Sequence, residues 1–338
     1  MEKIPERFRK NGVIPELASL LVSQGKVRDT YHLEAEGRLI RLVVTTKRIS
    51  AFDFVWPALI PNKGAALTAL DHFWRTQVLT DFPHHLIPSR IRDDRNFAYD
   101  LKSRYPDIDL QCTTATTVEE IPRFEYIFRY HPGGSIWNEY CENGTMAGQP
   151  MPAGIKKWSK LPFPVFTPST KELDGHDRNL TISEFLELAE PREVTAALMF
   201  QCAYMKAYAW AEARGVITLD SKFEGRDVIC DEILTFDSSR FTTKKSLLAA
   251  LEISTDPDFY DKENFRAYGK GITTPFYEEG KQIIGVHKLD PTNESHVAFV
   301  HGLDIPDHIA LSVTNRCLEL FRMITGMELF DYQQKYLC

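Results

Sequence analysis

The chain has 338 residues, 43% of them hydrophobic and 12% aromatic, enough for one large domain or two lobes around a cleft. A formal charge of −7 argues against a general nucleic-acid binder, whose surface would be basic. The charged start Met1-Glu2-Lys3-Ile4-Pro5-Glu6-Arg7 has no apolar signal core, and no apolar run is long enough to span a bilayer, so no membrane partner and a cytoplasmic location are expected. The six cysteines form no CxxC pair and no zinc-ligand spacing with histidine, and read as reduced structural thiols.

In chain order, Val27 to Leu33 and Leu39 to Thr46 alternate as strands, with Glu36-Gly37 as their turn, and predict a β-rich N-terminal lobe. Gly25 ahead of the first strand would let the backbone approach a phosphate, with Lys26 and Arg28 pointing to one side. The segment lacks a Walker frame, and taken alone it reads rather as ordinary basic residues at a strand edge. Leu67 to Leu79 has helical spacing. Asp81 to Asp109 is polar, broken by prolines and left unassigned.

Glu125 to Arg129 reads as another strand. Arg129 with Gly133-Gly134-Ser135 is either an anion pocket or a glycine turn beside a surface arginine. The proline-rich stretch Gly148 to Lys171 is expected as an ordered loop crossing between lobes. Phe166-Thr167-Pro168-Ser169-Thr170-Lys171, with Gly175-His176-Asp177, would bind a ligand or satisfy its own backbone. With no second histidine nearby, a metal role for His176 is not expected.

Proline suits the start of a long helix from about Pro191 to Arg214, and Gly215 its stop. Leu219–Glu224 and Asp231–Arg240 then read as two short strands joined across Gly225-Arg226-Asp227. Alternation would put Asp220, Lys222 and Glu224 on one face, with Asp231 returning opposite. Carboxylates beside a lysine suit a magnesium nucleotide, and a solvated hairpin face is the plain alternative. Ser238-Ser239-Arg240 again offers hydroxyls and a guanidinium to an anion. No Ser-His-Asp order or activated cysteine stands out. A second good helix runs from Asp307 to Thr325 and stops at Gly326.

Taken in order, these segments resemble the SAICAR synthetase (phosphoribosylaminoimidazole-succinocarboxamide synthase) family. The likeness rests on GKVRDTY at Gly25–Tyr31, RISAFD at Arg48–Asp53, PNKG at Pro61–Gly64 and the Glu125…Arg129…Ser135 frame. It continues through FTPSTK at Phe166–Lys171, GHD at Gly175–Asp177, DSKFE at Asp220–Glu224 and DEILTFDSSRF at Asp231–Phe241. The resemblance implies an α+β, two-lobed fold related to ATP-grasp and kinase-like arrangements, with ATP between the lobes. Residues 1–122 would form the nucleotide-binding lobe and 123–338 the catalytic lobe with its C-terminal helix.

The implied reaction joins carboxyaminoimidazole ribonucleotide (CAIR) to L-aspartate through an acyl phosphate, with ATP and Mg2+, in purine biosynthesis. Self-association is left open. By position, the resemblance implies Glu224 and Asp231 as metal carboxylates and Gly25, Lys26, Arg28 and Lys222 as nucleotide contacts. Asp53, Arg129, Ser135, Asp220 and Arg240 fall on substrate-binding positions, and Lys222, Asp220 and Lys171 on catalytic ones. A paralogous ligase for another amine or carboxylate, and an inactive nucleotide-binding regulator, are the other readings.

The chain departs from the family pattern at several places. Lys47 stands where an aspartate is usual, and Thr116–Glu120 replaces a lysine-containing segment that contacts the nucleotide base. Gly225 follows Glu224 directly, Arg178 replaces an acid after the GHD motif, and about thirty residues from Lys270 to Gly302 look inserted.

Overall fold

The computed structural model describes residues 15–35, 37–87, 101–171, 177–260 and 262–337. Two antiparallel sheets organise the chain. The smaller has the order β1 (Leu21–Gln24), β2 (Arg28–Ala35), β3 (Arg38–Thr45), β6 (Thr113–Thr116). Tyr31 faces Leu42 across the β2–β3 ladder, and Ile40, Leu42 and Val44 alternate inward, as a half-buried strand requires. Together with Leu17, Leu101, Ile108 and Ala115 they close a small core of their own.

Between β3 and β6 the chain forms the hairpin β4 (Arg48–Ala51) and β5 (Phe54–Leu59), then helix α1 (Lys63–Phe73), whose last turns widen into a π-helical stretch at Trp74–Val78. These residues pack into the main core beside the larger sheet, although they precede it in the chain. Gly64, in the first turn of α1, lies so close to the β3 end that a Cβ there would sit 2.5 Å from the Thr45 carbonyl oxygen.

The larger sheet has β7 (Phe124–Arg129) and β12 (Val216–Gly225) at its centre. Helix α2 (Ser135–Asn143) follows β7, and then the small hairpin β8 (Thr145–Met146) and β9 (Gln149–Pro150). The proline-rich stretch expected to cross between lobes instead stays on this sheet. Its strands β10 (Val165–Phe166) and β11 (Ser169–Thr170) both pair with β7.

Helix α3 (Ile182–Leu188) opens on a capping box between Thr181 and Glu184, and Arg178 pairs with Glu184 at 2.8 Å. Helix α4 (Pro191–Glu212) starts with proline in its first turn, and Gly215 takes a left-handed φ of 78° just beyond its end. It lays Ala196, Phe200, Ala203, Tyr204, Ala207 and Ala211 against the sheet. The small residues allow close approach, and the rings of Phe200 and Tyr126 meet edge to face at 5.0 Å.

The expected second strand at Asp231–Arg240 is corrected by the structure. After β12 the chain returns only as β13 (Ile229–Cys230). Asp231–Ser238 is then a loop, and pairing resumes on β12 as β14 (Ser239–Thr243). Asp231 and Leu234 both have left-handed φ values, of 46° and 54°, which no ladder accommodates. Neighbouring side chains satisfy the loop backbone instead: Asp71 accepts from the Ile233 N–H, and Trp74 Nε1 donates to the Leu234 carbonyl.

The remainder is α5 (Lys244–Ile253), α6 (Glu263–Lys270), α7 (Glu294–His301), α8 (Asp307–Thr325) and α9 (Leu329–Tyr336). Helix α8 has the predicted bounds, and Gly326 closes it at φ 75°. Between α6 and α7, the segment that looked inserted in the sequence forms the hairpin β15 (Thr273–Glu278) and β16 (Lys281–Ile284). Val286 and Val300 anchor it in the main core with no exposed surface. No helix among the described residues is long and apolar enough to cross a membrane.

The contact at Gly64 is testable by unfolding in denaturant. Gly64→Ala should lose about 2–3 kcal/mol, because backbone must move to admit the methyl group. Gly302→Ala meets only ordinary contacts at 3.4 Å and should stay within about 0.5 kcal/mol of the parent.

Candidate active site

A cleft of about 1200 Å³ lies between the two sheets. Its construction begins on β12, whose residues are nearly all buried although three of them are charged. Leu219, Ser221 and Phe223 turn to the α4 side, and Asp220, Lys222 and Glu224 to the other. Burial of charge is tolerable only with partners. Lys222 Nζ donates to Glu125 at 2.7 Å and to Glu224 at 2.5 Å, and Lys171 pairs with the second oxygen of Glu224. Burial opposes the Lys222 charge, but Glu224 and Glu125 outweigh it and hold the ammonium well above its ordinary pKa. Burial dominates at Glu125 and pushes its carboxyl upward despite Lys222.

The small sheet supplies the facing wall. Gly25 makes a tight turn, its N–H donating to the Arg28 carbonyl at 2.7 Å, and a Cβ there would crowd that same oxygen at 3.0 Å. Lys26 pairs with Asp53, which sits with Phe52 in consecutive left-handed positions at the β4–β5 turn. Arg28 reaches across the cleft to Asp231 at 3.2 Å and to Glu232. Burial would raise the Asp231 pKa, but Arg28, Lys222 and Lys171 overcome it and hold this carboxyl at about 2. At Glu232 burial prevails and raises the pKa.

A second pocket of about 250 Å³ adjoins the cleft, and the two share Lys222, Asp237, Lys262 and Arg266. One row across three strands forms its floor: Asp220 is registered against Arg129 on β7 and against Arg240 on β14. The Asp220 carboxylate accepts from Arg129 Nη1 at 2.6 Å and from Arg240 Nε at 2.9 Å. Burial works against the Asp220 charge, yet the two guanidiniums keep its pKa below the usual range. Two arginines on one carboxylate leave a net positive pocket with spare donors for an anion. Arg240 also lies 5.3 Å over the Trp158 ring, and Gly133 must be glycine because a Cβ would fall inside that ring.

The structure therefore brings Gly25, Lys26, Arg28, Asp53, Lys171, Lys222, Glu224 and Asp231 to one cleft. Arg129, Asp220 and Arg240 line the adjoining pocket, with Lys222 in both. Ser135 is exposed at the first turn of α2, outside the pocket wall, although a Cβ on the preceding Gly134 would come within 3.2 Å of Arg240. Gly175 and His176 lie outside the described residues. Lys47 is exposed at the turn between β3 and β4 and is not part of the cleft wall, so its reversed charge faces solvent.

The sequence reading missed several charged residues in and behind the cleft wall. Lys63, buried at the start of α1, pairs with Asp237 at 2.5 Å, and Lys262 stands 3.7 Å from the same carboxylate. Burial opposes the Asp237 charge, but Lys63 and Lys262 hold its pKa down. Glu232 and Asp237 lie inside the motif quoted above and were passed over because a strand was assumed there. Lys262 and Arg266 carried no signal, being ordinary charges at the start of a helix. Among the described residues no group of three or more His, Cys, Asp or Glu side chains is arranged to hold a metal. Glu224 and Asp231 are separate carboxylates, each neutralised by cations.

The chain matches the SAICAR synthetase family over residues 21–283. It is 36% identical over 260 residues to a phosphoribosylaminoimidazole-succinocarboxamide synthase of Geobacter metallireducens, covering 73% of this chain and 82% of that one. The synthase of that name from Syntrophotalea carbinolica is 33% identical over 320 residues, 91% of this chain and 95% of its own. Among solved structures, the SAICAR-synthase from Saccharomyces cerevisiae complexed with SAICAR superposes with a TM-score of 0.72 at 29% identity, over 91% of this chain and 95% of that one.

Two outcomes test the electrostatics. Lys63→Met should cost about 3 kcal/mol in denaturant unfolding, because it strips a buried carboxylate of its nearer partner. Asp231 has a folded pKa below its unfolded value, so its stabilising contribution is present above about pH 4 and lost as pH falls toward 2. The stability difference between the parent and Asp231→Asn should therefore shrink over that interval, measured as denaturant midpoints at stepped pH.

Proposed function

The chain belongs to the SAICAR synthetase family, and from that membership we propose that it ligates CAIR to L-aspartate with ATP, giving SAICAR, ADP and phosphate in purine biosynthesis. The observation that carries this reading is the continuity of the two sites. A cleft lined by Lys26, Arg28, Lys171 and Lys222 opens directly onto a two-arginine pocket. A phosphoryl donor and an anionic acceptor can then meet at their common wall.

On this reading residues 1–122 form a nucleotide lobe and 123–338 a catalytic lobe, joined by the packing of residues 49–79 on the main core. ATP lies between the sheets, as in kinase-like and ATP-grasp arrangements. Gly25, Lys26 and Arg28 address the phosphates from the small sheet, and Lys171 and Lys222 from the large one. Arg129 and Arg240, set by Asp220, hold the ribonucleotide, and Ser135, outside the pocket wall, would have to reach it from the first turn of α2. Asp53 stands at the cleft mouth, where it orders the Lys26 side.

The chemistry divides into two displacements. A carboxylate is a poor electrophile, so an oxygen of the CAIR carboxylate attacks the γ-phosphorus of ATP and ADP departs. The aspartate amine then attacks the acyl carbon of the acyl phosphate, loses a proton, and phosphate leaves. Lys222 and Lys171 stabilise the charge that shifts between the β- and γ-phosphates in the first step. Mg2+ fits Glu224 and Asp231, since it takes one or two carboxylates plus phosphate oxygens rather than a protein cage. Bound there it would neutralise the phosphates, and the cations now paired with Glu224 and Asp231 would be freed to contact them.

The direct experiment is ADP release with Mg-ATP, CAIR and L-aspartate, omitting each component in turn. Turnover should require all three. Indifference to aspartate would assign another amine, and nucleotide binding without ADP release would assign a regulator. Glu224→Ala and Asp231→Ala should each lower turnover by about 100-fold or more. Arg240→Ala should act chiefly on KM for CAIR, and a fully active Glu224→Ala would sink the metal assignment.

A further inference from the structure

The cleft side of the small sheet presents a ladder of paired rows. Arg28 is registered against Thr45, Thr30 against Val43, and Arg41 against Thr116. Thr45 and Arg41 are four residues apart on β3, so the first and last rows are roughly 13 Å apart. The Arg28 row carries the cationic end of the cleft. Toward the Arg41 row lies a slot lined by Arg41, Val43, Glu119, Ile121, Pro122 and Cys230, charged and apolar side chains together. An extended nucleoside triphosphate spans that separation.

Behind this slot is a small cavity of about 40 Å³. Thr114, Thr116 and His85 form one side of it, and Leu67, Thr68 and Asp71 of α1 the other. Its wall also includes Val43, Arg28, Asp231 and Glu232, which belong to the cleft as well. Thr116 is 1% exposed and His85 6%. Thr116 Oγ1 and His85 Nδ1 are both buried and have no hydrogen-bond partner in the protein. Two unpaired polar atoms in one enclosed space are costly unless something supplies their bonds.

The backbone holds both residues in place. Thr116 ends β6 in register with Arg41, the Thr117 N–H donates to the His85 carbonyl at 2.8 Å, and the His85 N–H donates to Ile229 at 3.2 Å. Burial keeps the imidazole well below its ordinary pKa, so it is neutral and offers one donor and one acceptor. A space of this size takes one or two waters and cannot admit a base.

We propose that Thr116 and His85 select the nucleobase. Thr116 sets the depth of the slot, and its hydroxyl together with His85 Nδ1 anchors cavity water that bonds the exocyclic amine of adenine. This rests on reading the cleft as an ATP site, and it assigns base selection to His85 and to Thr116, the first residue of the altered Thr116–Glu120 segment.

The test is calorimetric binding of the non-hydrolysable analogue AMP-PNP, and of its N6-methyl derivative, to the full chain with Mg2+. Thr116→Val keeps the shape and loses the hydroxyl, and should weaken AMP-PNP binding about tenfold. Thr116→Ser should retain the parent affinity, which separates loss of the hydroxyl from misfolding. Thr116→Ala deepens the slot and should raise the N6-methyl to parent affinity ratio about tenfold. Unchanged AMP-PNP binding by Thr116→Val, with an unchanged ratio for Thr116→Ala, overturns the proposal. Turnover of CAIR and aspartate is measured separately. A chain that ligates them while indifferent at Thr116 refutes base selection alone. One that binds nucleotide as expected but does not ligate refutes only the ligase reading.

Discussion

The structure depends on one constraint: β12 carries three charges into a nearly solvent-free position and must neutralise each of them locally. Lys222 is held between Glu125 and Glu224, and Asp220 between Arg129 and Arg240. An uncompensated buried charge would cost several kcal/mol, comparable to much of the net stability of a domain. The register of β7, β12 and β14 is therefore tied to the electrostatics. A slip of one residue would turn Asp220, Lys222 and Glu224 toward α4 and put Leu219 and Phe223 in the cleft.

The same arrangement explains how a cleft with so many carboxylates can receive a polyanion. In the described state the groups suited to phosphate are occupied by carboxylates: Lys171 and Lys222 by Glu224, Arg28 by Asp231 and Glu232, Lys26 by Asp53. Each carboxylate keeps a cation in position without letting it collapse onto backbone. On the proposed reading a magnesium nucleotide would bind by exchange of partners, its phosphates taking these cations, with Glu224 and Asp231 the residues that would hold the metal. Such an exchange avoids exposing any of these charges unpaired to a low-dielectric cleft.

Residues 270–302 have a structural logic of their own. They begin where α6 ends, and α6 and its preceding residue line the cleft with Lys262, Glu263, Arg266 and Lys270. A Cβ at Gly269 would meet the Phe52 and Trp56 rings at 3.0 Å, and the His287 ring lies tilted against Phe52 with centroids 5.8 Å apart. His287 thereby buttresses the strained Phe52-Asp53 turn from outside.

Much of this was legible in the residues. Helices α4 and α8 were readable because proline, glycine and an apolar period mark their ends and buried faces, which are local properties of the chain. The shared face of Asp220, Lys222 and Glu224 followed from strand alternation alone, and the ordered motifs were enough to suggest the family. The path of Asp231–Ser238 was not legible. Its left-handed turns are supported by Asp71 and Trp74, more than 150 residues away in sequence. The partner of Lys63, itself inside the PNKG motif, and the places of Lys262 and Arg266 were equally illegible, since nothing in a lysine or arginine says which carboxylate it will meet. Local pattern determines which side chains an element presents; only the packing of one sheet against another determines what they face, because partners in a buried ionic network are chosen by distance in space.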